Sequence, residues 1–265
     1  MKLRYLLPAL ALLANSAAQA DDYDKIKAKG EIVIGVRDSS PPFGFFDKKS
    51  GTVTGYDVEF ALHVAKKLGF KPVFKTLDPA ERIPALKDGR VDLVMATFAK
   101  TKEREREVDF SLGYFVATQK LLAGKGKFHD LLQLDKMTVC VPKGATNAGY
   151  LRNVSTGVTI LELADYTEDF NALRAGKCEA VSGPEPTLLG NLAKLPNKQD
   201  YEVADVPIAS EVYAVGIRKG EKRLAKAVNE ALTESESSGE AARIFETYFG
   251  LKSAAPMMRT FKIMP

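Results

Sequence analysis

The chain has 265 residues, with 38 Lys and Arg against 34 Asp and Glu, a formal charge of +4. That balance is too even for the basic footprint of a nucleic-acid binder, and the length allows one large domain or two ordinary ones, each with a real core. Trp is absent, so no platform of stacked indoles points to a carbohydrate. Lys2 and Arg4 form a short positive head, residues 6–18 are almost all apolar or small, and Ala18-Gln19-Ala20 is a small-x-small cleavage site. This order of features reads as a secretory signal peptide over 1–20, cut before Asp21. No Cys stands at the cleavage site, so no lipid anchor is expected. No later segment reaches the roughly 18 consecutive apolar residues of a membrane span.

The remaining chain alternates short apolar runs with amphipathic ones. Segment 31–36 (EIVIGV) reads as a buried strand. Segment 57–68 has apolar residues at helical spacing and ends at Gly69, a residue suited to a helix C-terminus. A strand at 71–75, a short helix at 79–88 stopped by Gly89, and a strand at 91–96 follow. This alternation implies parallel strands with right-handed crossovers. After an extended stretch at 115–123 and a Gly-Lys-Gly-Lys run, the pattern restarts. Strands are expected at 137–141, 158–163 and 179–182, with helices at 147–153 and 167–175. Segment 211–218 reads as an extended return crossing, and 221–236 and 239–249 as helices. The charged run 102–107 reads mostly as a solvated face. Two lobes follow, one built from 21–122 plus 213–265 and one from 123–212. Lobes joined by two extended crossings are expected to close on a ligand by hinge motion.

Gly55-Tyr56-Asp57-Val58-Glu59-Phe60, with Val64, Ala65 and Leu68 behind it, resembles the signature of bacterial extracellular solute-binding proteins of family 3, which bind polar amino acids. Four further blocks resemble that family in family order. They are Gly35 to Phe43, Gly89 to Ala96, Thr101 to Ser111, and Pro142 to Thr146. The resemblance implies an α/β fold of two doubly wound lobes joined by two hinge strands, the type II periplasmic binding protein arrangement. It also implies a monomeric periplasmic protein that delivers an amino acid to an inner-membrane ABC permease. By the same resemblance Arg104 is the carboxylate-binding arginine. Its planar fork grips a carboxylate bidentately, which Lys cannot do; the plainer alternative is a pairing with a neighbouring Glu. Arg106, two residues on, fits the solvated face.

Thr97 and Ala99 match positions that present a hydroxyl or backbone to the ligand. Thr146 and Asn147 sit where a strand becomes a helix, and the exposed N–H groups there suit a carboxylate. Arg37 follows a buried strand, at the edge where α/β sheets bind ligands. Its setting resembles the glutamate/aspartate-binding subgroup, in which such an Arg meets the side-chain carboxylate; the alternative is a surface pair with Asp38. Ser40, Phe43 and Phe46 are expected to form a wall nearby, although Phe43 reads equally well as core.

One block departs from the family. Pro184 stands where an Asp usually binds the ligand ammonium, and Glu185 lies one step on, where a loop adjustment would bring it into the cleft as a ligand-binding residue. Three other readings stand beside the amino-acid binding protein, the first of them raised by this departure. The ligand is a carboxylate without an ammonium, or the chain is an exported dehydratase-type enzyme on the same fold, with Glu185 as its acid or base. The third, a receptor sensing domain, requires a spanning segment after the last helix. His63 and His129 lack partners at metal-ligand spacing, so neither a metal nor another cofactor is expected. Cys140 and Cys178 are either two buried thiols or a disulfide. A second-lobe sheet of strand order 2-1-3 would make their strands neighbours, which favours the disulfide.

Overall fold

The computed structural model describes residues 22–265, and the signal-peptide reading lies outside them. In chain order the elements are α1 (Asp22–Lys29), β1 (Glu31–Val36), β2 (Ser39–Ser40), β3 (Gly44–Asp47), β4 (Thr52–Thr54), α2 (Tyr56–Leu68), β5 (Lys71–Thr76), α3 (Arg82–Lys87) and β6 (Leu93–Val94). Then come β7 (Val108–Gly124), β8 (Thr138–Pro142), α4 (Asn147–Val154), β9 (Thr159–Leu163), α5 (Tyr166–Arg174), β10 (Ala180–Pro184), α6 (Glu185–Leu192), β11 (Tyr201–Val203), β12 (Ala209–Arg218), α7 (Lys222–Ser237) and α8 (Glu240–Phe249).

One sheet threads the whole molecule in the order β5-β1-β6-β12-β7-β10-β8-β9, with β11 on the side of β7. Each end of it has the parallel 2-1-3 order of a doubly wound unit: β5-β1-β6 at one end and β9-β8-β10 at the other. The 17-residue β7 and the returning β12 run antiparallel between the two ends. Side-chain alternation sorts the core. In β8, Val139 and Val141 face one layer while Cys140 faces the other; in β7, Leu121 and Ala123 oppose Leu122. Two clusters draw on residues up to Ala117 and from Tyr213 onward, and two draw on residues between Leu121 and Ala204. The protein is therefore two doubly wound α/β lobes joined by two strands.

Helix α2 shows how the sequence places its elements. Gly55 precedes it at φ 135°, a region that favours glycine, and a side chain there would strike the carbonyls of Pro42 and Phe43. Gly69 closes the helix in the left-handed conformation, its N–H bonded back into the last turn. The expected helix over 79–88 is split into a 3-10 turn, Pro79–Glu81, and α3. The expected strand over 91–96 shortens to β6, because Asp92 turns its carboxylate to the Val33 N–H and Thr97 adopts a positive φ.

Cys140 and Cys178 form a disulfide, with Cα atoms 5.8 Å apart. The bond staples β8 to the residues entering β10, closing a separation of 38 residues. A loop of that size stabilises the native state by about 4 kcal/mol through the unfolded ensemble. Chemical denaturation of the Cys140→Ala/Cys178→Ala double variant should show a loss of that order. A denaturation midpoint equal to the parent's would remove the structural role.

Asp169 on α5 is completely buried, and neither carboxylate oxygen has a hydrogen-bond partner among the described residues. Burial pushes this carboxyl up to about 8, with Asp165 and Glu168 adding repulsion and Arg37 opposing it. The folded chain thus holds this proton more tightly than the unfolded chain does. Its contribution to stability is full below pH about 4 and is lost as pH rises towards 8. Melting curves of the parent and Asp169→Asn between pH 4.5 and 8.5 should diverge, with the variant gaining relative stability as pH rises. Parallel curves would contradict this.

Candidate ligand-binding cleft

Three arginines converge where the strand ends of the first lobe meet the second. Arg37 follows β1 and is wholly buried. Its Nη1 donates to Leu77 O at 2.8 Å and Asp78 Oδ1 at 3.3 Å, its Nη2 to Ser39 Oγ at 2.6 Å, and its Nε to Ser40 Oγ at 3.4 Å. Its acidic partner is therefore Asp78, brought from the end of β5, rather than the adjacent Asp38. Arg82, the first residue of α3, donates to backbone carbonyls. Its Nε reaches Pro79 at 3.0 Å, its Nη1 Ala96 and Thr97 at 3.0 Å each, and its Nη2 Gly144 at 3.2 Å. Arg104 donates to Ala99 O at 2.8 Å and to the same Gly144 O at 3.0 Å. The Phe98 ring lies 4.9 Å and 5.0 Å from the Arg82 and Arg104 guanidinium carbons, within cation–π range. Burial first, and then the charges of Arg104 and Arg37, push Arg82 well below the usual guanidinium range.

The second lobe and the two connecting strands supply the facing wall. Glu211 on β12 is 7% exposed. Its Oε1 accepts from Gln119 Nε2 at 2.5 Å and its Oε2 from Thr146 Oγ1 at 2.6 Å. Gln119 Oε1 in turn accepts from Asn147 Nδ2 at 2.8 Å, and that nitrogen also reaches Ser182 Oγ at 3.2 Å. Thr146 precedes α4 but makes no side-chain cap there; its hydroxyl goes to Glu211. Gly144 sits at φ 79°, where an added Cβ would lie 2.6 Å from Ala80 Cα, so the loop after β8 presses on the turn before α3.

Between these walls lies a small polar cavity, lined among others by Arg37, Arg82, Arg104, Gln119, Thr146 and Glu211. Among the described lining residues Glu211 is the one acidic side chain, against three guanidinium groups. Thr97 lines the same space at φ 48°, a strained conformation for a β-branched residue. The buried Asp57 holds it there. Its carboxylate accepts from Thr97 N and from Tyr114 Oη, each at 2.8 Å, while burial raises it to about 7. The acid of the α2 signature thus fixes the cleft edge as well as facing the helix N-terminus.

Of the residues singled out in the sequence, Arg37, Ser40, Thr97, Arg104, Thr146 and Asn147 line this cavity. Three do not. Phe43 is fully buried in the aromatic core, 4.7 Å from Phe115 and 5.5 Å from Tyr213 between ring centroids. Ala99 contributes its carbonyl to Arg104 rather than to the cavity. Glu185 opens α6 and pairs with Lys120 Nζ at 2.9 Å. Phe46 is more than half exposed and forms no wall. Arg106 is exposed while Arg104 is buried. Sequence reading missed Arg82, Gln119, Tyr166 and Glu211. The signal for Gln119 and Glu211 is a polar side chain inside an otherwise apolar strand. For Arg82 it is the strand-end rule that selected Arg37, applied once more after β5.

Comparison with known proteins places this geometry. A family model, bacterial extracellular solute-binding proteins, family 3, matches residues 32–251. The ABC transporter glutamine-binding protein GlnH of Bacillus subtilis is 32% identical, covering 89% of this chain and 87% of that protein. The L-glutamate/L-aspartate-binding protein of Pseudomonas aeruginosa is 29% identical, covering 96% and 91%. Among solved structures, an ancestral arginine-binding protein bound to glutamine superposes with a TM-score of 0.79 at 34% identity, covering 83% of this chain and 98% of that one. The two-lobed sheet, the cleft between its halves and the match across most of the chain have one reading: the protein belongs to the bacterial extracellular solute-binding proteins, family 3.

Proposed function

We propose that this chain is the periplasmic solute-capturing component of an ABC importer, and that its solute is an acidic amino acid, glutamate or aspartate. The lobes, 21–122 plus 213–265 and 123–212, close on the ligand about β7 and β12. It works as a binding protein rather than an enzyme, and the relatives that cover most of its length are named as binding proteins.

The balance of charge in the cleft carries the reading. Arg37, Arg82 and Arg104 face Glu211, and Asp78 partners Arg37, which leaves one positive charge in excess. A buried charge is costly unless it is paired. A glutamate or aspartate zwitterion carries one net negative charge and neutralises the excess; a neutral amino acid such as glutamine leaves it unmatched. Arg104 takes the α-carboxylate, and Arg37 takes the side-chain carboxylate beside Arg82. The Pseudomonas relative named for glutamate and aspartate supports this reading, and the Bacillus relative named for glutamine is its rival.

Losing one partner of a buried, hydrogen-bonded charge pair costs about 2–5 kcal/mol, which at roughly 1.4 kcal/mol per decade is about 30-fold or more in affinity. Calorimetric titration should show Arg104→Ala weakening glutamate, aspartate and glutamine alike. Arg37→Ala should weaken glutamate and aspartate well beyond glutamine, and Arg106→Ala should change little. If Arg37→Ala leaves the glutamate-to-glutamine ratio at the parent value, the acidic-ligand assignment fails and the family assignment stands.

A further inference from the structure

We infer that Glu211, on the return strand β12, is the ammonium anchor of the cleft, occupying the role that Pro184 cannot fill at the end of β10. The inference rests on the amino-acid reading above and deepens it. An α-ammonium entering a closed cleft loses its water and needs an anion beside it. Every other acid near the cleft is committed or displaced. Glu185 pairs with Lys120, Asp78 with Arg37, and Asp57 with Thr97 and Tyr114. Asp169 is buried in α5 and does not line the cavity.

Glu211 alone is both buried and at the cavity wall. One of its oxygens accepts from Gln119 and the other from Thr146, and a carboxylate offers about four acceptor sites in all. The hydroxyls of Tyr150 and Tyr213 also approach it. Neutral donors of that kind turn aside for an ammonium, whose charge-assisted bond is stronger. Gln119 is itself fixed by Asn147. The carboxylate is therefore held in one orientation before any ligand arrives, which reduces the ordering that binding would otherwise require. Its charge also acts on two of the guanidinium groups, Arg82 and Arg104. A role as their counter-ion alone is the rival explanation, and the experiment has to separate the two.

The test compares ligands that differ only in the ammonium. Glutamate and its deaminated analogue glutarate are titrated calorimetrically into the unaltered protein, Glu211→Gln and Glu211→Asp. Glutamine and 4-carbamoylbutanoate form a second pair, which reads Glu211 even if the side-chain assignment above is wrong. The unaltered protein should prefer the amino acid in the pair it binds. Glu211→Gln should lose about 30-fold or more for that amino acid, while its deaminated analogue holds or gains. Glu211→Asp, which keeps the charge, should retain much of the preference. Equal factors for both members of a pair in Glu211→Gln would make Glu211 a counter-ion only and overturn the inference. So would an unaltered protein that binds the deaminated analogue as tightly, or that binds neither amino acid. A crystal structure of the unaltered protein with its bound amino acid reads the same point without any variant. The ammonium nitrogen should lie within hydrogen-bond distance of a Glu211 oxygen, and a nitrogen placed elsewhere would overturn the assignment.

Discussion

The carbonyl of Gly144 accepts from Arg82 and Arg104 together, and much of the cleft is arranged to make that possible. Two guanidinium groups share one oxygen across the lobe boundary, with a third, Arg37, close by. Like charges gathered out of water repel one another and lose hydration, so each donor has to find a fixed acceptor. The fold supplies carbonyls from strand ends and turns: Leu77, Pro79, Ala96, Thr97, Ala99 and Gly144. Two unusual backbone conformations sit at this cluster, the left-handed Gly144 and the strained Thr97. The buried Asp57 holds the second of these in place, which ties the helix signature of the first lobe to the chemistry of the cleft.

The opposite wall is built from the strands that join the lobes. β7 contributes Gln119 and β12 contributes Glu211, and the side chains bond to each other across the antiparallel pair. Thr146 and Asn147 reach them from the second lobe. The polar centre of the cleft therefore lies on the two strands that join the lobes, and under the proposed function hinge closure and ligand contact would share the same residues. The cores on either side are conventional by comparison. Alternating apolar side chains fill both faces of each half-sheet, and the disulfide fastens the second lobe where Cys140 leaves one layer.

Much of this was legible in the sequence, because hydrophobic period reports burial directly. The parallel strands and the long helices appear close to their expected positions, since each presents one repeating apolar face. What was not legible has no such face. The ribbon β2–β3–β4 is made of two- to four-residue strands among Pro and Gly, too short for a period. Helix α6 begins within Pro184-Glu185-Pro186, which looks like a loop, although proline at the first helical positions is a favoured start. The extended stretch expected at 115 begins at Val108, where the preceding charged run masked a period-two alternation of apolar residues. At the site, Arg104 and Arg37 were found because strand ends and a family motif mark them. Glu211 was overlooked because a lone acid in an apolar strand gives no sign of what it faces. Its partners come from sequence distances of 65 and 92 residues, which only the fold brings together.

The account turns on one excess positive charge in a small closed cleft. Glutamate and glutamine have nearly the same shape and differ in that charge, so the most direct test is competitive calorimetry of the two on the unaltered protein at low ionic strength. Glutamate should bind at least about tenfold more tightly, a difference of about 1.4 kcal/mol. Glutamine binding as tightly as glutamate, or more tightly, would contradict the account.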